Sequence, residues 1–315
     1  MRRILVIKLG ALGDFVQAFA PFAAIRAHHP DARITLLTTR PFAEMAKASP
    51  YFDEVWIDAK PRLWQWGKVA ALRARLRQGA FDRVYDLQTS DRSGWYFRLI
   101  GAHVQWSGIA KGCSHPHANP RRDFMHTLDR QAEQLAMAGI VAVPPADLSW
   151  AEGDLGRFGL TQPFVLLCPG GAPHRPAKRW PAAFFAELAK WLAMRGITPV
   201  LLGTDKEATE IAVIAQACPQ ALALTGQTGF LDILALGRKA LAAVGNDTGP
   251  MHLIAAAGAA SVVLFGADSN PDLCAPRGQV RVLRQPNLAA LGPERVIDAV
   301  ADMVAGLRPA TISSA

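Results

Sequence analysis

The chain of 315 residues is half apolar, carries a formal net charge of +8, and spreads 26 glycines and 22 prolines along its length. That is enough to bury two ordinary cores. No apolar run has the length of a helical membrane span, and Ile4 to Ile7, set between Arg3 and Lys8, does not read as a signal peptide. Cys113, Cys168, Cys218 and Cys274 have neither CxxC spacing nor the density of a disulfide framework, which points to a reducing, cytoplasmic setting. The positive charge favours anionic partners: nucleic acid, phosphorylated small molecules or the inner face of a membrane.

In chain order, Arg3 to Lys8 reads as a buried strand, and Phe15, Phe19, Phe22 and Ile25 give helical periodicity from Asp14 to His28. A strand is expected over Arg33 to Thr38, then helix 41–48, strand 54–58, helix 62–77, strand 82–87, helix 91–99, strand 103–107 and helix 124–138. Pro144, Pro145, Gly153, Gly156 and Gly159 break the alternation. It restarts with strand Phe164 to Cys168, helix 181–194, strand 198–203, helix 205–216, strand 221–225, helix 229–237, strand 240–244, helix 249–257 and strand 260–265. A last helix is placed at about 293 to 305. Regular βα alternation predicts doubly wound parallel sheets in two domains, 1–150 and 151–307, with a disordered tail at 308–315. The last helix is given the option of packing back on the first domain.

Open parallel sheets bind ligands beyond the carboxyl ends of their strands, so the turns after strands are the places to search. Leu9-Gly10-Ala11-Leu12-Gly13-Asp14 follows the first strand. Asp14 reads either as a helix N-cap or as a base facing a hydroxyl; GxGxxG is absent, and a carboxylate beside a pyrophosphate would repel it. Pro169-Gly170-Gly171-Ala172-Pro173, with Lys178-Arg179-Trp180-Pro181, follows the first strand of the second half. Its glycines and cations suit a diphosphate cradle, against the plainer reading of solvated surface charges. Gly245 to His252 follows a later strand, and Gly249 and Pro250 suit the start of a helix whose exposed amides can serve a cap, a diphosphate or both.

These residues resemble glycosyltransferase family 9, typified by the ADP-heptose:lipopolysaccharide heptosyltransferases. Gly10-Ala11-Leu12-Gly13-Asp14, Lys178-Arg179-Trp180-Pro181, and Asp247-Thr248-Gly249-Pro250-Met251-His252-Leu253 carry the resemblance, together with Ala255-Ala256-Ala257-Gly258. It implies a GT-B fold, two Rossmann-like doubly wound domains facing a central cleft, with the acceptor on 1–150 and the sugar nucleotide on 151–307. It further implies an inverting transfer of a sugar, heptose from ADP-heptose, to a lipopolysaccharide-core or related glycolipid, with no cofactor and no essential metal. Asp14 matches the family's catalytic base and Lys178 its cation near the donor phosphates. Asp247 matches the position contacting the donor sugar, Thr248, Gly249 and His252 those at the diphosphate, and Glu207 the acid on the ribose; Gly170 and Gly171 line the same donor loop.

An acceptor hydroxyl needs a nearby carboxylate to take its proton, and the departing diphosphate needs positive charge or amides. No Asp-x-Asp pair occurs, so a metal clamp has no obvious ligands. Gly13, Lys111, Arg121, Arg122 and His126 are candidates for an anionic acceptor. Cys113, His115 and His117 lack a fourth ligand for zinc. Residues 61–78 interleave Trp64, Trp66, Val69, Leu72 and Leu76 with Arg62, Lys68, Arg73, Arg75 and Arg77, which fits either an anionic membrane face, with peripheral attachment, or a surface helix with one buried stripe. Two other classes compete: a nucleotide-dependent oxidoreductase, opposed by the missing GxGxxG, and a nucleic-acid-binding protein, for which charge is the sole argument.

Overall fold

The structure is a computed structural model in which residues 1–62, 64–171 and 179–304 are described. The chain divides into two compact units at Trp150/Ala151. In the first, β1 (Arg3–Ile7) leads to α1 (Leu12–Val16), α2 (Phe19–His28), β2 (Arg33–Thr38), α3 (Ala43–Ala48) and β3 (Glu54–Ile57). There follow α4 (Trp66–Gln78), β4 (Arg83–Asp86), α5 (Asp91–Ile100), β5 (Gln105–Gly108), the short β6 (His115–Pro116) and α6 (Thr127–Met137). The strands form one parallel sheet in the order β3-β2-β1-β4-β5-β6.

The second unit repeats the plan with β7 (Phe164–Cys168), α7 (Ala182–Ala193), β8 (Thr198–Leu201), α8 (Ala208–Ala217), β9 (Leu222–Ala223) and α9 (Phe230–Lys239). It continues through β10 (Ala242–Asn246), α10 (Gly249–Ala256), β11 (Ser261–Phe265), α11 (Pro271–Cys274), β12 (Val280–Arg284) and α12 (Pro293–Met303). Its sheet is also parallel, ordered β12-β11-β10-β7-β8-β9. The central strands are apolar on both faces because helices cover both sides of a parallel sheet. Every residue of β7, β10 and β11 is buried accordingly. In both sheets the first strand of the unit has later strands on each side, β2 and β4 around β1, β8 and β10 around β7. The chain therefore reverses its winding direction beside β1 and beside β7, which is where doubly wound sheets open a crevice.

Two expectations are corrected, and an edge strand is added to the second sheet. The helix expected over 14–28 is two helices, because Pro21 has no N–H to give the carbonyl of Gln17; α1 ends there and α2 begins at Phe19 with Pro21 in its first turn. The alternating run Val280–Arg284 is a strand that completes the edge of the second sheet. The last helix packs within the second unit: Val296, Ala299 and Val300 join Trp180, Phe185, Leu188 and Leu192 in its core, against α7 and the sheet. Its apolar face repeats at helical spacing, with Val296, Ala299 and Val300 buried and Ile297 and Met303 partly buried against the same core. The expected tail, 308–315, lies outside the described residues.

Candidate active site

At the carboxyl end of β1 the chain must turn sharply. Gly10 has φ +116, a conformation that favours glycine, and a Cβ there would stand 2.8 Å from the ring of Phe42. Phe42 in turn stacks on Phe15 with ring centroids 4.7 Å apart, so the turn is pressed onto an aromatic bed that fixes the start of α1. Ala11, not Asp14, occupies the N-cap and makes no side-chain cap bond. Asp14 stands instead in the first turn, half-buried, which withdraws the plain capping reading and leaves a carboxylate whose charge acts on Lys8 after β1.

A buried polar cluster stands at the ends of β1 and β4, near enough to Asp14 to feel its charge, and no sequence motif marks it. Lys8 is 4% exposed and donates its ammonium to the carbonyl of Leu87 at 3.0 Å. Burial pulls its pKa down to about 8, opposed by the charges of Asp14 and Asp86 and assisted by Arg130. Asp86, at the end of β4, is fully buried, and burial pushes its carboxyl up to about 6. Its Oδ1 accepts the N–H groups of Gln88 and Thr89, folding a turn in which Thr89 sits at φ +44. A β-branched residue adopts that conformation only when its surroundings enforce it. The same turn aims the Gln88 side chain at Leu9, whose N–H it accepts at 2.7 Å, and so ties the β4 loop to the β1 loop. Arg130 on α6 has its pKa lowered, first by burial and then by Arg122, with Asp14 acting in the opposite direction.

Asp14, Lys8 and Arg130 thus act on one another through their charges, and of the expected acceptor residues Arg122, itself paired with Asp123 at 2.8 Å, adjoins the group through Arg130. The sequence signal for Arg130 was α6 itself, whose buried face carries Thr127, Gln131 and Gln134, the last donating to the carbonyl of Asp86 at 2.9 Å. Gly13 lies inside α1, where its carbonyl accepts the N–H of Gln17. His126 is the N-cap of α6, its Nδ1 accepting the N–H of Leu128. Arg121 is exposed, its N–H held by Asn119. Lys111 stands apart at a cavity of about 330 Å³ shared with Ser90, Asp91, Trp95, Arg98 and Ile109. Cys113, His115 and His117 are drawn to Gly108, Ser114 and Glu133 respectively, and the described residues contain no group of three or more His, Cys, Asp or Glu placed to hold a metal ion.

In the second unit Asn246, fully buried at the end of β10, organises the loops. Its Nδ2 donates to the carbonyls of Pro169 and Gly170 at 2.9 and 3.0 Å, and its Oδ1 accepts the N–H of Trp180 at 2.9 Å. Trp180 is itself buried and donates its indole N–H to Leu291. Both ends of the glycine-rich loop are therefore pinned to the sheet; Lys178, with 172–177, lies outside the described residues. Arg179 donates to the carbonyl of Gly171 at 2.7 Å and pairs with Glu210, which makes it a structural cation of this loop. Glu207 packs against the bare face of Gly170, where a Cβ would stand 3.0 Å from its Cγ. Its Oε2 accepts the N–H and hydroxyl of Thr204, closing a capping box.

Beside this loop α10 begins. Thr248 is its N-cap without a side-chain cap bond, Gly249 and Pro250 form its first turn, and that turn carries no acidic side chain. Its positive end is left for an anion. Asp247 accepts the Ser269 hydroxyl at 2.6 Å, and its Oδ1 lies 3.9 Å from Nε2 of the buried His252. Ser269, on the turn after β11, carries no motif of its own. The structure brings Gly170, Gly171, Glu207, Asp247, Thr248, Gly249 and His252 to the carboxyl edge of one sheet, at the crevice beside β7.

Two Rossmann-like units, each with polar side chains at its switch point, define a doubly wound α/β protein of the class that binds ligands in that crevice. Residues 69–288 match the model of glycosyltransferase family 9 (heptosyltransferase), and the chain belongs to that family. It is therefore a glycosyltransferase, and nothing in the comparisons favours the oxidoreductase or nucleic-acid readings. It is similar to lipopolysaccharide heptosyltransferase 2 of Escherichia coli (strain K12), 28% identical across 90% of this chain and 88% of that one. Among solved structures it resembles a family 9 glycosyltransferase from Veillonella parvula, with a TM-score of 0.83 and 21% identity over 96% of this chain and 97% of that one. The ADP-heptose heptosyltransferase II of E. coli has a TM-score of 0.77 and 24% identity over 96% and 98%. Among the described residues no helix is long and apolar enough to cross a membrane.

Proposed function

We propose that the enzyme moves heptose from ADP-heptose to a lipopolysaccharide-core or related anionic glycolipid, with inversion, at the cytoplasmic face of a membrane. The observation that carries this reading is the division of labour between two switch points. Beside β1 stands a half-buried carboxylate among cations; beside β7 stand glycine turns and the start of α10, whose first turn carries no acidic side chain. The first suits a base for a hydroxyl of an anionic acceptor, and the second a diphosphate.

In this reading the first unit binds acceptor and the second binds donor. Asp14 accepts the proton of the acceptor hydroxyl as its oxygen bonds to the anomeric carbon. The bond from that carbon to the diphosphate oxygen breaks, and its electron pair leaves with the nucleotide. The growing negative charge falls to the amides at the start of α10, with Thr248, Gly249 and His252 around them, and to Lys178. Asp247, braced by Ser269, contacts the sugar, and Glu207 the ribose, with Gly170 and Gly171 giving the nucleotide close access to the backbone. Arg122 and Arg130 face the acceptor's negative charge. No metal is required, since amides and cations supply the positive field.

Calorimetric titration of ADP, UDP, GDP and their sugar conjugates in EDTA tests the donor assignment. Selective binding of ADP and ADP-heptose is expected. Tighter binding of UDP or GDP compounds would replace the donor, and binding that needs a restored divalent ion would overturn metal independence.

A further inference from the structure

Helix α4 is anchored along one narrow line. Leu76 is its sole buried residue, with Val69 and Leu72 half-buried beside it at helical spacing. The side turned away from that line carries Gly67, Ala70, Ala71 and Ala74, all exposed and all small and uncharged. Cations border this strip on both sides: Lys68 and Arg75 along one, Arg73 and Arg77 along the other. Two of them are tied to the protein body, Arg75 stacking over Trp56 at 4.4 Å and Arg77 donating to the carbonyl of Leu99 at 3.0 Å, so the border is held in place. At the amino end of the strip Trp66 and Trp64 are 79% and 66% exposed, with the Arg62 guanidinium 5.1 Å over the Trp64 ring. No acidic residue occurs between Asp58 and Asp82.

We infer that Trp64 and α4 form a docking surface for a bilayer leaflet containing anionic lipid. Two indoles with little protein cover are costly in water and are at home in the headgroup region, where an apolar body and an N–H donor are both satisfied. The neutral strip lets the helix axis approach the acyl boundary; Lys68 and Arg73 keep their heads among phosphates while their stems lie along the strip, and Arg75 and Arg77, held by Trp56 and Leu99, add positive charge behind them. Thirteen residues give about 20 Å of helix, too short and too charged to span, so α4 lies flat. An acid-free cationic border complements a negative leaflet, worth about fivefold in partitioning per cation. The inference deepens the glycolipid-acceptor reading by locating where the leaflet meets the chain, and its test uses lipid alone, so either can fail without the other.

The full chain is sedimented with vesicles of phosphatidylcholine and with vesicles containing phosphatidylglycerol as well, at low and high salt. Binding only to the anionic vesicles, weakened by salt, is expected. The Trp64→Ala/Trp66→Ala pair should lose about tenfold or more in partitioning, and Lys68→Gln/Arg73→Gln about 25-fold, with thermal unfolding unchanged. Wild-type partitioning by both variants, or equal binding to neutral vesicles, would overturn the surface. So would a wild-type dimer that the tryptophan variant makes monomeric, or DNA binding with the same residue dependence and no vesicle binding.

Discussion

The side-chain oxygen of Asn246 accepts the backbone N–H of Trp180 at 2.9 Å, across 66 residues of sequence. With its amide on Pro169 and Gly170, one side chain closes both ends of the glycine-rich loop. Asn246→Ala would strand an N–H and two carbonyls in a dry setting, at about 3 kcal/mol or more. Urea unfolding should show that loss, and calorimetry a weaker affinity for ADP. Asn246→Asp, which keeps the acceptor but turns a buried carboxylate onto two carbonyl oxygens, should cost at least as much; wild-type stability in both would contradict this role.

Asp14→Asn should lower transfer by about 10²–10⁴-fold, the range for loss of a general base, while leaving donor affinity intact. Single-turnover transfer alongside ADP calorimetry separates the two effects. A variant that still turns over at the wild-type rate would remove Asp14 as the base.

Arg130 lies among Lys8, Arg122 and Asp14 and is proposed to face the acceptor. Arg130→Met should raise the acceptor KM by about tenfold or more and leave the ADP-heptose KM unchanged. Equal changes in both constants would indicate a general disturbance of the unit instead.

His29 shares a 2.8 Å hydrogen bond with the Tyr85 hydroxyl, and burial, with His28, Arg83 and Arg2 nearby, lowers its pKa to about 4. The unfolded chain, titrating near 6.5, binds the extra proton throughout the window between these values. The contribution of His29 to stability is therefore complete above pH 6.5 and lost as pH falls towards 4. Thermal unfolding from pH 7 to 4 should show a shallower decline in His29→Gln than in the wild type; parallel curves would exclude His29 as the source.

The fold class was legible because glycine and small polar residues recur directly after apolar strands, and three such turns in order identify the family. What escaped is informative. Pro21 marks a helix break that the phenylalanine periodicity overrides, and Val280–Arg284 alternates as an edge strand does but follows Pro276 and Gly278 in a stretch rich in breakers. Lys8 and Asp86 read as ordinary ends of strands; only the register Ile7 to Asp86 brings them together. Asn246 sits inside a recognised motif, yet its reach to Trp180 depends on the sheet placing β7 beside β10. Local pattern reports elements, whereas buried polar clusters are made by pairing across long separations.

The position of β1 and β7 inside their sheets has an evolutionary consequence. The strands that set each crevice are buried and apolar, while the groups proposed to touch substrate hang on turns beyond their ends. On the proposed donor assignment, substitutions at Glu207 or Asp247, or at Ser269 behind it, would alter sugar or nucleotide preference without leaving a hole in either core. Selection for a new donor meets little resistance from selection for folding, and a scaffold of this kind can diversify its chemistry while its architecture stays fixed.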